Sequence, residues 1–139
     1  MAAALADTSA WSWRGRSPQV SAGFVEMLAN DGIATCAMVK FELLVSAQNG
    51  REFDEIRQEL DELEDYAIGA LQWQRALHVY RELAHQGGAH QRSVGHQDLL
   101  IAAAAEAAEV ELLHYDEDFD RIAAITGQPT RWIAPRGSL

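Results

Sequence analysis

The chain predicts an α/β fold built on a mostly parallel sheet, and three observations carry that reading. Short apolar runs alternate with longer stretches of helical period, the pattern of successive βαβ units. No internal repeat and no low-complexity linker interrupts the alternation. The 139 residues, 48% of them hydrophobic, suffice to bury one ordinary core and are too few for two comfortable domains, so residues 1–139 are expected to form a single domain.

Residues 3 to 6 form a short apolar run that stops at Asp7-Thr8-Ser9, which suits a buried strand better than a helix of useful length. After a loop over 14–18, residues 19 to 30 place Val20, Phe24 and Leu28 on one helical face and close at Asn30-Asp31-Gly32. Ile33 to Cys36 is a short second strand. Met38, Phe41, Leu44 and Val45 then repeat with helical period up to the stop at Asn49-Gly50, so Glu42 falls in the first turns of that helix. Glu52 to Glu64 is charged and amphipathic, with Phe53, Ile56, Leu60 and Leu63 on one stripe, and Tyr66 to Leu71 reads as a third strand. Helix returns over 72–86, carrying Trp73, Ala76, Leu77, Tyr80 and Leu83. Gly87-Gly88 breaks it and opens a polar loop from His85 to His96, after which Asp98 stands ahead of an Ala-rich helix ending near Glu109. Val110 to Tyr115 is the clearest strand and Asp116 ends it. A short helix with Phe119, Ile122 and Ile125 runs to Gly127, and Arg131 to Ala134 reads as a last strand.

The formal net charge of −10, from 21 acidic against 11 basic residues, argues against a nucleic-acid binder that works through a broad cationic surface. It suits a basic partner instead. The one cysteine, Cys36, lies among apolar residues and is expected to be core. The longest apolar stretch, Leu99 to Ala105, falls far short of the ~20 residues of a membrane span, and the N-terminus lacks the features of a secretory signal. A soluble, cytoplasmic protein with no membrane partner is therefore expected.

Four carboxylates stand at the edges of these elements. Asp7 and Asp116 fall at the carboxyl ends of strands, Glu42 lies just past another, and Asp98 heads the helix that leads into the strand ending at Asp116. Open parallel sheets bind ligands beyond the carboxyl ends of their strands, where strand order reverses. All four acids therefore face one crevice if the first and fourth strands are neighbours. Gathered carboxylates repel, and burying them unpaired is costly unless a divalent cation sits between them. An all-oxygen set selects Mg²⁺ or Mn²⁺ over Zn²⁺, and one or two such ions can activate water and stabilise charge on a scissile phosphate. Each acid also has a plainer reading. Asp98 would be a helix cap, Asp7 a turn or cap, Glu42 a solvated helix face, and Asp116 and Asp118 the acidic start of a helix.

The blocks Leu5-Ala-Asp-Thr-Ser-Ala10, Glu42-Leu-Leu44, Asp98-Leu-Leu-Ile-Ala-Ala103 and His114-Tyr-Asp-Glu-Asp-Phe-Asp-Arg-Ile-Ala123 together resemble the PIN-domain family, and within it the VapC-type toxins. The resemblance spans nearly the whole chain in order, spacing and strand context. It implies an α/β/α sandwich with a parallel sheet and a Mg²⁺- or Mn²⁺-dependent endoribonuclease held inactive by a cognate antitoxin whose tail enters the active site. It also implies a homodimer, as is usual in the family. Carried over by position, Asp7, Glu42, Asp98 and Asp116 would be the catalytic, metal-binding acids. Asp118 would be a fifth acting through water, and Ser9, with Thr8 the lesser candidate, would bond a ligand carboxylate or a metal-bound water. The chain departs from the family at His114, where a small or hydroxyl residue is usual, and in the Ala-rich character of the first strand.

Arg14, Arg16 and Arg92 lie in loops near the expected active edge and are candidates to hold RNA phosphates. Trp11 and Trp13, close to Asp7, could stack an unpaired base or pack a core or dimer. The five histidines have no zinc-hydrolase spacing and receive no catalytic role; His85, His90 and His96 share the polar loop. The stripe of Phe53, Ile56, Leu60 and Leu63 suits a core or the groove for a partner's helix. An aspartyl phosphatase is disfavoured because Asp7-Thr8-Ser9 lacks a second Asp two places on. The rival that stays open is a catalytically inert PIN-like module that binds RNA or protein without turnover.

Overall fold

The computed structural model describes residues 2–88 and 90–139, and the side chains of His90 and Gln91 lie outside what it describes. Five strands, β1 (Ala4–Ala6), β2 (Ile33–Cys36), β3 (Glu64–Tyr66), β4 (Leu112–His114) and β5 (Thr130–Trp132), form one sheet in the order β3-β2-β1-β4-β5 with every pairing parallel. The first and fourth strands are thus neighbours, the condition on which convergence of the acids depended. The helices are α1 (Thr8–Arg14), α2 (Pro18–Ala29), α3 (Ala37–Leu44), α4 (Gly50–Asp61), α5 (Ala70–His85), the one-turn α6 (His90–Ser93), α7 (His96–Ala108) and α8 (Asp118–Thr126). Right-handed crossovers send the chain one way from β1 through β2 to β3 and back the other way through β4 to β5. The crossovers therefore put α1–α4 on one face and α5–α8 on the other, making the α/β/α sandwich.

The centre of the molecule explains its most unusual helix. Leu99 to Ala105 of α7 are all buried, seven consecutive residues, because α7 is enclosed by the sheet, α5 and α8. A helix apolar on every side belongs inside, and its small alanines let its neighbours approach closely. Leu5, Ala6, Leu112 and Leu113 of the two central strands complete this core, and Cys36 is buried as expected.

Several boundaries differ from the sequence reading, and three of them bear on the site or the sheet. Residues 8–14 form helix α1, with Asp7 as its N-cap; the sequence reading offered Asp7 as a turn or cap but assigned no helix there. The third strand is Glu64–Tyr66 rather than 66–71; it is an edge strand exposed at Glu64 and Asp65, so it carries charge where a buried strand carries Val or Ile. Asp98 is not the cap of α7: Gly95 holds that position and Asp98 lies in the first turn.

Candidate metal centre

Convergence at the β1–β4 junction follows from local bonding. Asp7 leaves β1 at its carboxyl end, and its Oδ2 accepts the backbone N–H of Ser9 at 2.9 Å and the Ser9 hydroxyl at 2.6 Å. Its other oxygen, Oδ1, is buried with no hydrogen-bond partner among the described residues. The Ser9 Oγ in turn accepts the backbone N–H of Tyr115 at 2.8 Å, tying the start of α1 to the end of β4. Thr8 donates its hydroxyl to Glu42 Oε1 at 3.1 Å, drawing the side chain of α3 to the same edge. Asp116 follows β4, and its Oδ1 accepts the backbone N–H of Asp118 at 2.9 Å at the head of α8.

Asp98, Asp116 and Asp118 each offer a carboxylate oxygen, and these atoms lie within 4.8 Å of one another. Burial first, and then the charges of Asp7, Asp116, Glu42 and Asp118 in that order, push the Asp98 carboxyl up to about 8. Asp7 is raised to about 6, chiefly by burial, with Glu42 adding to the rise and the Ser9 hydrogen bonds opposing it. Burial and Asp116 also raise Asp118, while Arg121 lowers it. All five acids are therefore brought into one electrostatic unit. The amino-terminal ends of α1, α7 and α8 meet here, and their partial positive charge offsets only part of the repulsion.

These features fit a divalent cation. An orphaned buried carboxylate oxygen, three further oxygens in mutual reach and a donor set made of oxygen alone are what a hard ion takes. Among the described residues no imidazole or thiolate joins the group of possible ligands.

The other residues singled out in the sequence lie as follows. Arg14, at the far end of α1, pairs with Glu59 at 2.7 Å and sits over the Trp11 and Phe24 rings. Arg16 lies over the Trp13 ring, and Arg92 is exposed on α6. Trp11 is buried edge-on against Phe24 and belongs to the core, whereas Trp13 is half-buried against Tyr115. His85 and His96 are exposed. His114 is fully buried between Phe119 and Trp132, held below its ordinary pKa by desolvation, and its Nδ1 accepts the backbone N–H of Asp116 at 3.2 Å. It is a neutral packing residue that shapes the turn bearing Asp116. The sequence reading passed over Arg121, which ion-pairs with Asp118. Its i, i+3 spacing from Asp118 was the available signal.

A parallel α/β/α sandwich that gathers carboxylates where its strand order reverses defines a class of α/β domains with an acidic crevice at the switch point. The chain belongs to the PIN domain family, which residues 4–125 match. It is 49% identical over 133 residues to Ribonuclease VapC18 of Mycobacterium tuberculosis, covering 96% of each chain, and 40% identical over 116 residues to Ribonuclease VapC51 of the same organism, covering 83% of this chain and 82% of that one. Among solved structures it resembles a chain of a DNA-bound VapBC structure from Salmonella typhimurium at a TM-score of 0.73 and 17% identity, covering 96% of this chain and all of that one (100%).

Proposed function

We propose that residues 1–139 act as one metal-dependent endoribonuclease, the toxin of a toxin–antitoxin pair, with Mg²⁺ or Mn²⁺ as its cofactor. The observation that carries this reading is the part-buried acidic cluster at the β1–β4 switch point, in a chain closely similar to relatives named as ribonucleases. Asp7, Glu42, Asp98 and Asp116 would hold the ion, with Asp118 at the edge of the set. When bound, such an ion lowers the pKa of water and stabilises charge on the scissile phosphate. Asp98, whose carboxyl is pushed up by burial first and by the neighbouring acids second, would have to give up its proton to serve as a ligand, so metal affinity would depend on pH. Ser9 fixes the orientation of Asp7 by occupying Oδ2, so that Oδ1 is the oxygen left for the ion. Thr8 does the same for Glu42. No side chain of the cluster needs to act as a nucleophile on the phosphodiester.

The partner reading rests on two exposed apolar faces. Between α3 and α4 a furrow of about 500 Å³ is lined by Phe41, Leu44, Val45 and Phe53, with Phe41 71% and Val45 81% exposed. A furrow of that kind on an acidic protein suits an amphipathic, basic segment of an antitoxin. On α5, Trp73, Leu77 and Tyr80 are exposed at spacings of four and three residues, a seam that suits a second copy in a homodimer.

The test is induced expression in a bacterial host of this chain and of Asp98→Asn, with 5′- and 3′-end mapping of total RNA, together with cleavage of single-stranded RNA by the purified protein in Mn²⁺ and in EDTA. Discrete new ends made only by the parent chain, and abolished by EDTA, are expected. A folded, metal-supplied parent that leaves RNA intact would establish the inert binding module instead.

A further inference from the structure

We propose that Arg121 and Arg136 form a phosphate clamp at the lip of the carboxylate cluster, contacting the backbone of the single-stranded RNA on which the nuclease reading rests. The starting point is scarcity. With 11 cations against 21 acids, the chain has few groups with which to hold a polyanion, and most are committed elsewhere. Arg14, Lys40, Arg51, Arg57, Arg75 and Arg131 pair with acids outside the cluster.

Arg121 is placed differently. Its Nη1 donates to Asp118 Oδ1 at 2.5 Å, and among the described residues it is the cation whose ion-pair partner belongs to the cluster. Its Nη2 reaches Glu117 Oε1 at 3.4 Å, and the other oxygen of Glu117 accepts from Arg136. Glu117, standing between Asp116 and Asp118 in sequence, therefore anchors two guanidinium groups beside the acids. Arg136 is held a second time, over the Trp132 ring, and the C-terminal segment carrying it is fastened where the Leu139 backbone N–H donates to the Tyr115 hydroxyl at 2.9 Å. The side chains stay open to solvent, 35% exposed for Arg121 and 62% for Arg136.

Arg121 and Arg136, matched by Asp118 and Glu117, place two fixed, solvent-open guanidinium groups at the edge of an otherwise acidic pocket. A phosphodiester is the anion that such planar, forked donors match in shape, whereas a free divalent ion would be repelled by them. Arg121 also has a reason to change partner. Were Asp118 to turn to a divalent ion, the guanidinium it now holds would be free to meet a phosphate beside the cluster.

Binding of a short fluorescein-labelled single-stranded RNA by the Asp98→Asn chain in Mn²⁺, followed by anisotropy between about 50 and 200 mM salt, tests this. Arg121→Gln and Arg136→Gln are each expected to weaken binding roughly tenfold at low salt and to flatten the plot of log affinity against log salt by about 0.7, the slope of one single-strand phosphate contact. Arg121→Lys should keep the slope while losing part of the affinity, since charge survives and the fork does not. Arg51→Gln on the outer side of α4, with the same change in charge, should alter neither. Slopes for Arg121→Gln and Arg136→Gln equal to the parent's would overturn the clamp and leave the nuclease reading standing. A parent chain that neither binds nor cuts RNA would overturn both.

Discussion

Asp61 and Asp98 are the same residue in opposite circumstances. Asp61, at the exposed end of α4, shares Lys40 with Asp65 and also meets Arg57, and its carboxyl is held below the ordinary value, chiefly by the Lys40 hydrogen bond. Asp98, in the first turn of α7, faces four other carboxylates and is pushed up to about 8 by burial and by those charges. Where the chain needs acids only for its surface, it interleaves Lys and Arg. At the β1–β4 junction it withholds them, Arg121 and Arg136 at the lip excepted. Acidic composition alone says little; the missing counter-charge marks the place proposed for an external cation.

The largest expected effect comes from removing that contrast at its centre. Asp98→Asn should lower RNA cleavage by about a hundredfold or more, because it removes a ligand and nothing replaces its charge. The same variant should be more stable than the parent in EDTA. Below about pH 4 Asp98 is protonated both folded and unfolded. Between that pH and about 8 the unfolded carboxyl ionises while the folded one keeps its proton, so the native state binds more protons and stability falls as pH rises. Thermal unfolding in EDTA should therefore show a Tm that declines from pH 5 to 8 in the parent, by roughly 5 °C or more, and a shallower decline in Asp98→Asn. Mn²⁺ should raise the parent's Tm most at the alkaline end. A parent Tm that is flat with pH, or insensitive to Mn²⁺, would break the comparison.

Ser9→Ala is the next step down. It removes the hydroxyl that donates to Asp7 and accepts from the Tyr115 backbone N–H, leaving that N–H to find another partner in a part-buried place. A loss of about 1–3 kcal/mol is expected in denaturant unfolding. Because the Ser9 bonds hold the Asp7 carboxyl down, Asp7 should rise above its present value of about 6. The midpoint of the pH–activity curve should then move upward, which a purely structural loss would not produce.

Much of this was legible in the sequence, and the limits have physical causes. The four acids could be picked out because each stands where an apolar run or a helical period changes, and those are the places an α/β fold turns into its crevice. The adjacency of β1 and β4 was not legible, since strand order depends on which faces the helices cover. Helix α1 was missed because Thr8-Ser-Ala-Trp-Ser-Trp-Arg14 is short and rich in residues with poor helix propensity; its Asp7 cap and its packing on α2 hold it. Strand β3 was displaced for the opposite reason. The apolar stretch from Tyr66 to Leu71 drew the reading, while the paired residues are Glu64, Asp65 and Tyr66 on a sheet edge where polar side chains are tolerated. Arg121 was passed over because an i, i+3 pair in an acidic helix start resembles ordinary surface stabilisation until the structure shows which carboxylate it touches.

The smallest effect expected is at the other pole of the comparison. Lys40 is the only lysine of the chain and bonds Asp61 at 3.0 Å and Asp65 at 2.8 Å, so on a count of contacts its loss should matter. Both acids are well exposed, and water and salt replace most of what a surface ion pair contributes. Lys40→Met also keeps the aliphatic stem that lines the α3–α4 furrow. Its Tm should stay within about 2 °C of the parent's, and its RNA cleavage should be unchanged. A fall in Tm matching the shift produced by Asp98→Asn would mean that the paired acids are coupled as tightly as the clustered ones. The distinction between acids that merely face water and acids that wait for a cation would then rest on charge count alone.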